Sequence, residues 1–169
     1  MQPKPKESWP NLTLQNYRRA FEAHRLLVAK PTPEQTDDVG MALARFLVVR
    51  ACGYIEAVAE ECVTSYTLSR SSPQVARYCR SWLGKGRNPS PGNLYDLASK
   101  FDQSWVGELK ELFAADDSLV KRELESLIDR RNKIAHGAGE NVTARKALDF
   151  SDIAIRVSDW LVARFDPSK

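Results

Sequence analysis

The placement of proline constrains this chain more than any other feature. Nine prolines fall at positions 3, 5, 10, 31, 33, 73, 89, 91 and 167, leaving proline-free blocks at 11–30, 34–72 and 92–166. Proline removes a backbone donor and clashes with the preceding turn, so helix interiors exclude it and long gaps between prolines are where helices fit. Inside the gaps apolar residues recur every three to four positions, and neither a period-two strand pattern nor an internal repeat is present. The expected fold is an all-α bundle of about five main helices.

The blocks resolve into helices by their start and stop signals. Asn11 caps a first helix from about Leu12 to Lys30, with Leu14, Tyr17, Phe21 and Val28 on its inner side. Thr32-Pro33-Glu34-Gln35 reads as a capping box opening a second, long helix to about Ser69. Leu43, Leu47, Val48, Ala51, Ile55, Val58 and Cys62 give that helix a continuous apolar stripe and make it the expected central packing element. Gly40 and Gly53 weaken it by about 1 kcal/mol each relative to alanine and permit either a bend or a close helix contact. Ser72-Pro73 starts a short helix to about Leu83, a loop follows over 84–92, and Asn93 is expected to cap another short helix. Further segments run from Ser104 to Phe113, then from Ser118 to His136 behind a cap at Asp116 or Asp117. Thr143 caps a short turn, and a last helix carries Ile153, Val157, Trp160, Leu161 and Phe165.

At 169 residues, with 43% hydrophobic and 28% charged side chains, the chain can bury a core without staples. One domain over 1–169 is expected, with 1–10 as a flexible N-terminal segment. That segment has three prolines and no apolar run, so it resembles neither a signal peptide nor a membrane span, and the default expectation is a cytoplasmic protein. Cys52, Cys62 and Cys79 form no CxxC pair and have no histidine at zinc-ligand spacing, so they are expected as reduced thiols with no metal and no cofactor. The net charge of +3 is too small to identify a nucleic-acid partner by itself. GxxxxGK[ST], GxSxG and HExxH are all absent.

One stretch carries polar residues where a plain helix would not. In Leu127-Ile128-Asp129-Arg130-Arg131-Asn132-Lys133-Ile134-Ala135-His136-Gly137, the residues Leu127, Ile128, Ile134 and Ala135 make an inward stripe, and Arg131 falls inside it. Asn132 and His136 share a face at i,i+4, and Gly137 is a stop signal. An arginine so placed either snorkels and pairs with a carboxylate or stabilises a bound anion. A histidine at a helix end either satisfies free carbonyls or moves protons. Glu56, on the flank of the second helix's stripe, is a candidate partner for Arg131 or His136. Lys133 either pairs with Asp129, one turn back, or contacts phosphate. His24 is expected at the surface.

Arg131-Asn132-Lys133-Ile134-Ala135-His136 resembles the Arg-x4-6-His motif of the HEPN domain superfamily. Ala51-Cys52-Gly53-Tyr54-Ile55-Glu56-Ala57 and Gly92-Asn93-Leu94-Tyr95-Asp96-Leu97 extend the likeness to the RiboL-PSP type of HEPN domain over most of 40–165. The resemblance implies an all-α homodimeric endoribonuclease that works without metal, in which an RNA 2'-hydroxyl attacks the adjacent phosphorus. His136 would move protons, a contribution typically of about 10²–10⁴-fold. Arg131 would stabilise charge on the phosphoryl oxygens, and Asn132 would orient the phosphate or the imidazole. Lys133 and Arg130, with Lys85 and Arg87 of the 84–92 loop, are candidate contacts to tRNA or mRNA. Toxin–antitoxin and phage-defence systems are the settings it suggests, with an antitoxin or other regulatory protein as partner. The alternative is a non-catalytic HEPN module that binds RNA, a nucleotide or a protein.

Overall fold

A computed structural model describes residues 8–83, 88–137 and 140–169, and among these no strand occurs. The helices are α1 (Leu12–Ala29), α2 (Asp37–Arg70), α3 (Pro73–Leu83), α4 (Pro91–Ser99), α5 (Gln103–Ala135) and α6 (Ala144–Arg164). None of them is long and apolar enough to cross a membrane.

At 34 residues, α2 is about 50 Å long at 1.5 Å per residue, and α1, α3, α5 and α6 all pack on it. Its buried residues Leu47, Val48, Ala51, Ile55, Val58 and Cys62 lie on one stripe, with Leu43 partly buried beside them. They join Phe21 of α1, Leu124 and Leu127 of α5, and Phe150 and Leu161 of α6 in one core. Toward the C-terminal end of α2 the core turns aromatic: Tyr66, Phe101, Trp105 and Phe165 pack with centroids 5.0–6.3 Å apart. Trp9, inside the segment expected to be flexible, donates its indole N–H to the Val162 carbonyl at 2.8 Å.

Several start signals act elsewhere than expected. The long helix begins after Thr36, whose hydroxyl accepts from the Val39 amide, and Thr32 to Gln35 instead close a turn through Gln35 N–H to Thr32 O at 3.0 Å. Asp37 and Asp38 favour the later start, since their charges meet the positive end of the helix dipole. Helix α4 is capped by Ser90, not Asn93, because Pro91 is preset for the first helical turn. Thr143 caps α6 itself instead of a separate turn.

Neither Asp116 nor Asp117 caps the motif helix. Both, with Ser118, adopt left-handed backbone angles (φ 53, 54 and 63) and break α5 between its two halves. Such angles cost about 1–2 kcal/mol per non-glycine residue. They are offset here by one tertiary and one local tie: Asp116 pairs with Arg156 of α6 at 2.7 Å, and the Asp117 carbonyl accepts from Arg122, five residues on, at 2.6 Å. His24 is not a free surface residue either, because its ring stands edge-on to Phe46 at 5.0 Å and burial with the nearby Arg50 charge lowers its pKa.

Candidate functional site

The second half of α5 runs in from the break and is anchored by buried Val120, Leu124, Leu127 and Ile128. The stripe weakens toward its end: Ile134 is half-buried and Ala135, expected inward, is exposed as the helix leaves the core. Arg131 is therefore not enclosed. Its Nη2 donates to Glu56 Oε1 at 2.6 Å, and Nη1 donates to the amide oxygen of Asn132 at 3.2 Å. The Arg131 and Glu56 side chains are 27% and 31% exposed, so the pair is shielded from bulk water yet open to a ligand.

Glu56 holds this position because it lies on the flank of α2, one turn after Cys52. The Cys52 thiol is fully buried behind the ion pair, and burial pushes its pKa up to about 11 against the opposing pull of Arg131, which lies within hydrogen-bonding reach. Cys52 and Glu56 thus present a thiol and a carboxylate to one guanidinium. The sequence offers Glu56 as a partner for Arg131 or His136, and it pairs with Arg131; the Cys52 thiol one turn back, facing the same guanidinium, is not anticipated there.

His136 ends the helix. Its backbone N–H donates to Asn132 O at 3.0 Å, and Gly137 follows with φ +74, a left-handed angle that glycine adopts without strain. The imidazole is exposed and makes no hydrogen bond among the described residues. It does not cap the last carbonyls. Asn132, one turn earlier, shares its face.

The other candidates separate. Arg130 points away from the Arg131 pair and binds Glu140 Oε1 at 2.8 Å, and Arg45 donates to the Glu140 carbonyl at 2.7 Å and to Asn141 Oδ1 at 3.2 Å. Arg130 is therefore committed to fastening the segment after the motif onto the bundle, a role with Arg45 that spacing along the chain did not reveal. Lys133 pairs with Asp129 at 2.8 Å on the solvent side, and that carboxylate raises its pKa. Lys85 and Arg87 lie outside the described residues. Tyr95 packs against Phe113 at 5.4 Å and Trp105 lies in the aromatic cluster, so neither is a free stacking platform. Among the described residues no group of three or more His, Cys, Asp or Glu is arranged to hold a metal ion.

An arginine clamped by a carboxylate and touched by an asparagine is a partly open cation suited to an anion, and the exposed histidine at the same helix end is a group that can give or take a proton. Comparison with known proteins agrees with the frame that carries them. The family model for RiboL-PSP-HEPN matches residues 13–162. Neither the curated proteins nor the solved structures contain a significant match. With nearly the whole chain matched, from α1 into the last turn of α6, the protein belongs to the RiboL-PSP-HEPN family.

Proposed function

We propose that this protein is an endoribonuclease that cleaves RNA without a metal ion, through Arg131, Asn132 and His136. The observation that carries the reading is the Arg131–Glu56 pair at 2.6 Å, which holds a guanidinium partly open on the helix that ends, five residues on, in an exposed histidine. Arg131 binds the nonbridging oxygens and stabilises the charge that grows on them. His136 takes the proton of the 2'-hydroxyl as it attacks phosphorus, or returns one to the departing 5'-oxygen, leaving a 2',3'-cyclic phosphate and a 5'-hydroxyl. With its amide oxygen engaged by Arg131, Asn132 has its N–H groups to donate to phosphate.

The working form in this reading is a homodimer. The outward face of α2 supports it: Val39, Phe46 and Val49 are exposed, Phe46 by 43%, and the next turns are Gly53, with open space at its Cβ position, and Ala57. This apolar run leads directly to Glu56. A second copy seated there brings two motifs to one cleft and supplies the orienting partner that the imidazole lacks in one chain. A toxin or phage-defence effector restrained by a regulatory protein is the biological role this activity suits.

A non-catalytic RNA-binding module is the second reading, and the unpartnered imidazole is the observation that favours it. One experiment separates the two. Purified protein is incubated with total RNA and with single tRNAs in EDTA, beside Arg131→Ala, His136→Ala and a Phe46→Asp/Val49→Asp variant, and ends are read for cyclic phosphate. Cleavage by the parent alone, with the α2 variant sedimenting as a monomer, is expected. Equal cleavage by the Arg131→Ala/His136→Ala double variant rejects the enzyme, and an inert parent that shifts RNA with a steep salt dependence selects the binding module.

A further inference from the structure

Helix α3 contains two arginines and no carboxylate in the sequence Pro-Gln-Val-Ala-Arg-Tyr-Cys-Arg-Ser-Trp-Leu. Ala76 is buried against the bundle and Cys79 half-buried, so at helical spacing Tyr78 points the opposite way. Its ring is 73% exposed. Exposed Val75 lies on one side of it and exposed Arg77 on the other.

This surface is joined to the candidate site through α2. Arg80 approaches Glu60 at 3.5 Å, and Glu60 stands one helical turn, about 5.4 Å, beyond Glu56 and its pair with Arg131. The Arg80 and Glu60 side chains are 65% and 45% exposed, so water screens their pair strongly and a phosphate can replace the carboxylate. The Arg131 pair and the Arg80 pair therefore place two guanidiniums, each held by a carboxylate of α2, about one turn apart, and the helix that carries the second turns an open aromatic ring and Arg77 outward to solvent.

We propose that α3 is a subsite for single-stranded RNA, on which Tyr78 stacks a base flanking the scissile phosphate while Arg77 and Arg80 hold backbone phosphates. It rests on the ribonuclease reading and names where the strand runs. Base-on-ring stacking tolerates any base, and guanidiniums track a backbone without reading sequence, so the strand is recognised by its single-strandedness. A tyrosine among arginines also suits a protein interface. The lack of any carboxylate on the helix and the continuity with a phosphate-binding site favour the polyanion.

The test uses the full chain with His136→Ala, which removes cleavage, and measures the affinity of labelled single-stranded oligoadenylate and oligouridylate and of an RNA duplex. Adding Tyr78→Ala is expected to weaken both single strands about 10-fold or more with little change for the duplex, whereas Tyr78→Phe retains binding. Arg77→Ala with Arg80→Ala is expected to lower the salt-dependence slope by about one to two. Sedimentation and thermal melting should match the parent. Single-strand affinity unchanged by Tyr78→Ala overturns the proposal, as does a shift in oligomeric state with RNA affinity intact, which would assign the face to a protein partner. Parent protein with native His136 is assayed for cleavage alongside: its failure rejects the ribonuclease reading, while the Tyr78 comparison still decides the subsite.

Discussion

Two regions of α2, ten residues apart, are held by opposite means. Around Tyr66 four rings close on one another, and Phe165 at their centre is fully buried. Around Glu56 the contacts are ion pairs and hydrogen bonds made by half-exposed side chains to Arg131, with Arg130 and Arg45 tying down the segment after the motif. Burial of apolar area stabilises the first region whatever is bound, whereas polar contacts in the second nearly cancel against desolvation. The aromatic region therefore adds to the stability supplied by the apolar stripe along α2, whereas the charged contacts of the motif region add little net stability and serve mainly to fix side chains in position.

The largest test of this contrast is Phe165→Ala. Deleting a fully buried ring that contacts Tyr66, Phe101 and Trp105 should destabilise the protein by about 3–5 kcal/mol, read as a lower urea midpoint with an unchanged slope. Under the proposed activity, cleavage per folded molecule should stay near the parent's. A loss under about 1 kcal/mol would show that the cluster is not what secures this region.

An intermediate effect is expected behind the motif. The Cys52 thiol titrates near 11 in the folded chain against 9.0 without burial, so the native state favours the protonated form. Below pH 9 that contribution is fully present, and it is lost between about 9 and 11, where the unfolded chain releases its proton first. The loss is on the order of 2 kcal/mol. Because burial raises Cys62 in the same direction, the measurement is the difference in stability between the parent and Cys52→Ala from pH 8 to 11. A pH-independent difference would mean that the thiol is not desolvated behind the ion pair.

What the sequence made legible follows the same division. The core stripe of α2, the Asn11 cap and the span of α3 are local patterns, and they hold because spacing and proline set them within one helix. Arg131, Asn132, His136 and Gly137 are readable for that reason too. The left-handed turn at 116–118 contains no glycine and depends on Arg156, forty residues away from Asp116, so no local signal announces it. Likewise, Arg130 gives no sign in sequence of choosing Glu140 over a ligand. The start of α2 failed for a different reason: Thr32 and Thr36 both offer a capping hydroxyl, and the choice between them fell to the two aspartates that follow Thr36.

Glu56→Ala carries the smallest expected change in stability and the sharpest test of the comparison. Its pair with Arg131 is short, at 2.6 Å, but both side chains keep more than a quarter of their exposure, so solvent screens the interaction and takes over part of it when the carboxylate is removed. The expected cost is about 1 kcal/mol, or a fall in Tm of about 2–4 °C for a chain of this size. On the proposed function, the catalytic consequence is much larger. A guanidinium released from Glu56 loses its fixed aim at the phosphate, so RNA cleavage should fall at least about tenfold, mostly in kcat, with Glu56→Asp recovering part of it. Wild-type cleavage by Glu56→Ala would reduce the pair to a tie between α2 and α5. A destabilisation as large as that of Phe165→Ala would abolish the distinction between the two regions, because it would mean that the motif carries the fold as well as the chemistry.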